Sequence, residues 1–154
     1  MCQLVTKRFN KELYEQNDGI ARQKIRDILK DTEYNVVDNP KKRGVDLLIY
    51  KKGKHVLNIE CEIKRVWKGE TFPYESLQIP ARKEKYAILD VPTVFVVLND
   101  DKTSYLSVTG DVLVNSPKKE VPNKYVYKGE YFFQVPLDKV KYNDLLSVVK
   151  DIAE

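Results

Sequence analysis

Residues 55–64 read His55-Val56-Leu57-Asn58-Ile59-Glu60-Cys61-Glu62-Ile63-Lys64, an extended segment with its charge gathered on one side. Valine, leucine and isoleucine favour extended backbone here, and no helical period competes. Successive side chains of a strand point to opposite faces, which divides the segment into two rows. Leu57, Ile59, Cys61 and Ile63 form an apolar row suited to a core. Val56, Asn58, Glu60, Glu62 and Lys64 form the other, with ionisable groups at intervals of about 7 Å. Such a row is either a solvated sheet face with cross-strand lysine–glutamate pairs or a site.

Working outward, Lys52-Gly53-Lys54 reads as a hairpin turn, preceded by a strand over residues 45–50. The antiparallel hairpin brings Asp46 roughly opposite residues 59–62, so Asp46, Glu60, Glu62 and Lys64 can converge at one end of a sheet. Carboxylates at that separation repel, and they either raise a pKa or hold a cation. Mg²⁺ takes one or two carboxylates together with water and phosphate oxygens, which this cluster can supply. An ammonium group at Lys64 would orient a water there or stabilise charge on a pentacoordinate phosphorus.

Elsewhere the pattern is coarser. Asn17-Asp18-Gly19 offers an N-cap, and Ile20, Ala21, Ile25, Ile28 and Leu29 follow at helical spacing to about residue 31, with the preceding Phe9-to-Gln16 segment open to a further turn or two of helix. A short strand is expected at 34–37, a helix at about 75–88, and a strand buried on both faces at 93–98. Further strands are expected at 103–108, 111–115 and 124–135, then a helix at about 139–152. The reading is an α/β fold of one domain: an αβββαβ core over about 18–100, a mixed sheet flanked by helices, and a β-rich extension with a terminal helix.

Composition narrows the classes. The 154 residues suffice for one core, and 42% are apolar, with no run near the length of a membrane span. The N-terminal residues contain no apolar leader-like stretch, so a cytoplasmic location is expected. Cys2, Cys61 and a single histidine, His55, cannot furnish a Cys/His zinc site. His55 is expected to face solvent. The net charge of +4 is mild, but Lys41-Lys42-Arg43, Lys51-Lys52-Gly53-Lys54 and Lys64-Arg65-Val66-Trp67-Lys68 bracket the charged strand. These lysines either keep sheet edges soluble or form a footprint for a polyphosphate backbone.

Gly44-Val45-Asp46, followed after fifteen intervening residues by Glu62-Ile63-Lys64 on the next strand, resembles the PD-(D/E)XK nuclease superfamily. That superfamily includes restriction endonucleases and Holliday junction resolvases, and the inferred element order is similar to its common core. The resemblance implies a metal-dependent nuclease acting on duplex or branched DNA, with Mg²⁺ as cofactor and Mn²⁺ as a substitute. It implies Asp46 and Glu62 as metal ligands, the Ile63 carbonyl as a further ligand, Glu60 as a supplementary one and Lys64 as the catalytic lysine. It also implies a homodimer, as small resolvase-like members commonly form.

The chain departs from the pattern in places. Val45 replaces the motif proline, and the first-helix acidic position falls near the basic residues Arg22 to Lys24, with Glu15 and Asp18 as nearby substitutes. In the expected helix at 75–88, Gln78 is followed by Arg82 rather than the tyrosine of some members. DNA contacts are expected from Lys42, Arg43, Arg65, Gln78, Arg82 and Lys83, because guanidinium, ammonium and amide groups suit phosphate oxygens. Trp67, Phe72 and Tyr74 either stack on an unpaired base or pack in the core. Two other readings are a nucleic-acid-binding module without catalysis and an interaction protein whose acidic strand is merely solvated. No phosphate-binding glycine loop or serine-hydrolase elbow is present.

Overall fold

A computed structural model describes residues 11–122 and 130–154, with side chains from residue 19 onward. Cys2, the side chains of Glu15 and Asp18, and the first part of the strand expected at 124–135 lie outside the described residues. The architecture is mixed α/β. Helix α1 (Lys11–Leu29) precedes strands β1 (Tyr34–Asp38), β2 (Leu47–Lys51) and β3 (Lys54–Ile63). Strand β4 (Ser76–Pro80), a 3-10 turn and the short α2 (Glu84–Ala87) lead to β5 (Thr93–Leu98) and β6 (Tyr105–Thr109). After α3 (Gly110–Val114) come β7 (Lys118–Val121), β8 (Glu130–Pro136), β9 (Lys141–Tyr142) and α4 (Leu145–Ala153).

Six strands form one sheet in the order β1-β2-β3-β5-β6-β9, antiparallel except at the central β3–β5 pair. Three more form a second, antiparallel sheet, β4-β8-β7. Helices α1 and α4 cover one face of the large sheet. Ala21, Ile25 and Leu29, spaced one helical turn apart, pack there with Leu47, Ile49, Leu57, Ile59, Cys61 and Val96. The small sheet covers part of the opposite face, where Phe95, Val97 and Leu106 meet Trp67, Leu77, Ile79 and Phe133. Strand β5 is therefore buried on both sides, as its continuous apolar run requires. Among the described residues, no helix is long and apolar enough to cross a membrane.

The β2–β3 turn places Lys52 and Gly53 at φ 50° and 76°, the mirror-image geometry that matches strand twist. A register shift between Ile49 and Tyr50 then leaves Val56 without a partner, since Ile49 pairs with Leu57 and Tyr50 with His55. This bulge turns Val56 toward the helices beside Leu57. The row opposite the core is accordingly His55, Asn58, Glu60 and Glu62, without Val56. His55 is half-buried rather than solvated, stacked on Tyr50 at 5.3 Å between ring centroids.

Four expected elements differ. Helix α1 begins at Lys11, so Asn17-Asp18-Gly19 lies inside it rather than capping it. The expected helix at 75–88 is mostly β4: Leu77 and Ile79 alternate inward, Ser76 and Gln78 less so, and the strand ends at Pro80 on a sheet edge. Where a strand was expected at 111–115 the chain forms α3, Gly110–Val114, and Leu113 alone of that turn's side chains is buried in the core. The last helix starts at Leu145, because Lys141 and Tyr142 join β6 as a sixth strand.

Candidate metal and phosphate site

Leu47 pairs with Ile59, so Asp46, one residue before β2, lies opposite Glu60. Here side chains continue the ladder. The Asp46 N–H donates to Glu60 Oε1 at 3.1 Å, and the Cys61 N–H donates to Asp46 Oδ2 at 3.0 Å. The Asp46 carbonyl turns the other way and accepts from the Asn39 N–H at 3.2 Å. Asp46 is thus held from three directions at the mouth of the β2–β3 pair.

Glu60 is only 6% exposed. Burial pushes its carboxyl up to about 7, and the charge of Asp46 pushes the same way, with Lys83 partly opposing both. Lys83 Nζ lies 3.4 Å from Glu60 Oε2. Burial by itself would lower the lysine's pKa, but Glu62, Glu60 and Asp46 outweigh it and hold Lys83 above its ordinary value, as a cation. From α1, Arg22 Nη2 comes within 3.5 Å of Asp46 Oδ1, and the same guanidinium lies 3.7 Å from Asp38.

Asp46, Glu60 and Lys83 line a cavity of about 330 Å³ whose walls also include Lys42, Glu62, Arg82 and Tyr86. Two basic arms and the half-buried Lys83 therefore surround three carboxylates. Arg82 is exposed and bonds Glu130 through Nε at 3.0 Å. Tyr86 donates its hydroxyl to the Arg43 carbonyl at 3.2 Å, tying α2 to the 39–46 loop. Asn39 braces that loop from within, donating from Nδ2 to the Val45 carbonyl at 2.9 Å.

The structure sorts the expected site residues. Asp46, Glu60, Glu62, Ile63, Lys42, Arg82 and Lys83 share the cavity. Lys64 lies outside it. Strand β3 ends at Ile63, the backbone turns so that the Trp67 N–H reaches the Lys64 carbonyl at 3.0 Å, and the alternation no longer governs. The Lys64 ammonium instead lies 5.9 Å from the centre of the Tyr74 ring. Arg65 lies 3.8 Å from Asp100, and Gln78 pairs across β4–β8 with Gln134. Trp67 and Phe72 are core residues packed edge to face at 5.3 Å, so of the three aromatics only Tyr74 is substantially exposed.

Two residues escaped the sequence reading. Lys83 was expected to touch DNA, yet it is the amine that adjoins the carboxylates. Arg22 stood in the place of an expected acid. Its signal was legible in part, because Arg22 and Arg26 follow the buried Ala21 and Ile25 at the same one-turn spacing.

Among the described residues, no group of three carboxylate, thiol or imidazole side chains is clustered tightly enough to form a closed metal cage. An open site of hard oxygen donors is another matter. Asp46 and Glu60 adjoin each other through the Asp46 N–H on Glu60 Oε1, and Glu62 lines the same cavity. That donor set fits Mg²⁺, which takes one or two carboxylates and keeps several waters. No protein-family model matches the chain, and no curated protein matches it significantly in sequence.

Proposed function

We propose that the protein is a metal-dependent deoxyribonuclease of the PD-(D/E)XK type, hydrolysing phosphodiester bonds in duplex or branched DNA. The observation that carries this reading is the rung formed by Asp46 and Glu60 with Lys83 against it, in a cavity walled by further cations. The order α1-β1-β2-β3-α2-β5 around that rung agrees with the superfamily's core, with β4 inserted before α2. The resemblance put the glutamate at Glu62 and the amine at Lys64; the proposal moves both, to Glu60 and Lys83.

Asp46 and Glu60 would hold the Mg²⁺, with the Ile63 carbonyl as the further donor that the resemblance implies. When bound, that ion supplies Lewis-acid polarisation of the phosphate and a lowered pKa for its water. The chain's own groups do the rest. Lys42 and Arg82 position the DNA phosphate by charge-assisted hydrogen bonds. Lys83, kept cationic, stabilises the negative charge that grows on the phosphoryl oxygens. Glu62 accepts a proton from the attacking water. The new P–O bond displaces the leaving sugar oxygen, which is protonated by solvent, leaving a phosphate monoester and a hydroxyl.

The test is incubation with supercoiled, linear, single-stranded and four-way-junction DNA in Mg²⁺, Mn²⁺ or EDTA. Cleavage in Mg²⁺, absent in EDTA and lost in Asp46→Asn and Glu60→Gln, is the expected result. Binding to DNA without cleavage of any substrate would replace this reading with a non-catalytic binding module. One observation favours that second reading: both carboxylates already have internal cations, Arg22 on Asp46 and Lys83 on Glu60.

A further inference from the structure

Beside the carboxylate cavity lies a larger one of about 640 Å³. Gly44 and Tyr86 line both, so the hydrogen-bonded contact between Tyr86 and the 39–46 loop is a shared wall. The two cavities differ in chemistry. Leu48, Leu89 and Val91 give the larger one apolar walls, and Lys41, Arg43 and Lys85 stand around it with Asp90 as the one acid. An apolar slot of this size with a few polar groups is the form small-molecule sites take.

Its polar groups are fixed in place. Asn58, only 3% exposed, lines the cavity from the same face of β3 as Glu60. Its amide donates to the Val91 carbonyl at 3.0 Å, and its Oδ1 lies 2.7 Å from His55 Nε2. Asn58 and Glu60 are two residues apart on one strand, roughly 7 Å. A single sugar bridges that separation. A nucleotide with its phosphate among Lys42, Arg82 and Lys83 would therefore set its base at the larger cavity. The cations there suit the flanking phosphates, and the apolar walls suit the base itself.

Building on the nuclease reading, we propose that the larger cavity receives one unpaired nucleobase next to the phosphate held at the carboxylates. The preferred substrate is then DNA containing a bulged, frayed or otherwise unpaired nucleotide, not a fully paired duplex. Leu89 is 45% exposed and forms an apolar wall, so it can be altered without opening the core.

The experiment compares two labelled oligonucleotide duplexes, fully paired and carrying one unpaired 2-aminopurine, by fluorescence anisotropy in EDTA. Wild type is expected to bind the bulged duplex at least about tenfold more tightly, as the burial of one base implies. The 2-aminopurine emission should change on binding, and Leu89→Asn should erase the preference, with the paired duplex as internal reference. Equal affinity for the two duplexes in wild type would overturn the proposal, as would a preference that Leu89→Asn leaves intact. A parallel Mg²⁺ arm separates the two ideas. Cleavage without a bulge preference sinks only the base site. A bulge preference without cleavage sinks only the nuclease reading.

Discussion

Asp46 and Glu60 complete the last rung of the β2–β3 ladder with a side chain where a carbonyl would serve: the Asp46 N–H bonds Glu60 Oε1 at 3.1 Å. The Asp46 backbone thus holds the Glu60 carboxyl in place, and both residues line the cavity. The arrangement trades stability for a pair of adjoining carboxylates. A buried carboxyl beside a second carboxylate is an unfavourable charge in the absence of a cation.

That trade sets a pH dependence. The Glu60 carboxyl is pushed up to about 7, chiefly by burial and next by Asp46, from an ordinary value of 4.5. The folded state then binds more protons than the unfolded state between those values, so stability falls as pH rises through this window. In EDTA, denaturant unfolding should show the protein more stable at pH 5 than at pH 8, by up to about 3 kcal/mol. Glu60→Gln should flatten that difference and raise stability at pH 8. An unchanged pH profile in Glu60→Gln would show that the burial of Glu60 is already compensated.

The proposed reaction takes its working amine from geometry. Lys83→Ala should lower DNA cleavage by about 10²- to 10³-fold, the usual effect of removing one group that stabilises transition-state charge. Lys64→Ala should leave it nearly unchanged, since that ammonium lies over Tyr74. Single-turnover rates at saturating DNA separate this from a binding defect. The reverse ranking would return the lysine role to Lys64.

Much of this was legible beforehand, and the failures have physical causes. The alternation of Asn58, Glu60 and Glu62 with Leu57, Ile59, Cys61 and Ile63 was plain because strand alternation is local. Which acid faces Asp46 was not, because register depends on the turn and on the bulge at Val56, and each single-residue slip exchanges faces. Lys64 was placed on the charged row as though β3 continued past Ile63, where the strand ends. The β4 strand was hidden by its brevity and by Pro80, and β7 by its sequence Lys118-Lys119-Glu120-Val121, which has one apolar residue. Those short strands are made by pairing with β8, a long-range partner that no local pattern announces.

The loop that walls the site depends on Gly44. A Cβ there would meet Asn39 Nδ2 at 2.3 Å, while that amide is donating to the Val45 carbonyl. Gly44→Ala should displace Asn39 and cost about 1–2 kcal/mol, comparable with losing the hydrogen bond through Asn39→Ala. Because both act on one contact, the double variant should cost less than the sum. Additive losses in urea unfolding would mean that the two residues brace the loop independently.

Arg22 offers a last prediction, opposite in sign from the loss usually expected on breaking an ion pair. Its guanidinium lies 3.5 Å from Asp46 Oδ1 and 3.7 Å from Asp38, and both partners are partly exposed. An exposed pair of this kind is worth on the order of 1 kcal/mol or less. Arg22 also partly neutralises the charge that a divalent cation would meet at Asp46. Arg22→Gln should therefore bind Mn²⁺ more tightly, up to about fivefold in Kd. Titration followed by the Mn²⁺ electron paramagnetic resonance signal reads this without DNA or catalysis. Asp38 retains Arg26 in the variant, so the α1–β1 contact survives. An unchanged or weaker Mn²⁺ affinity would mean that Arg22 positions Asp46 for the ion instead of competing with it.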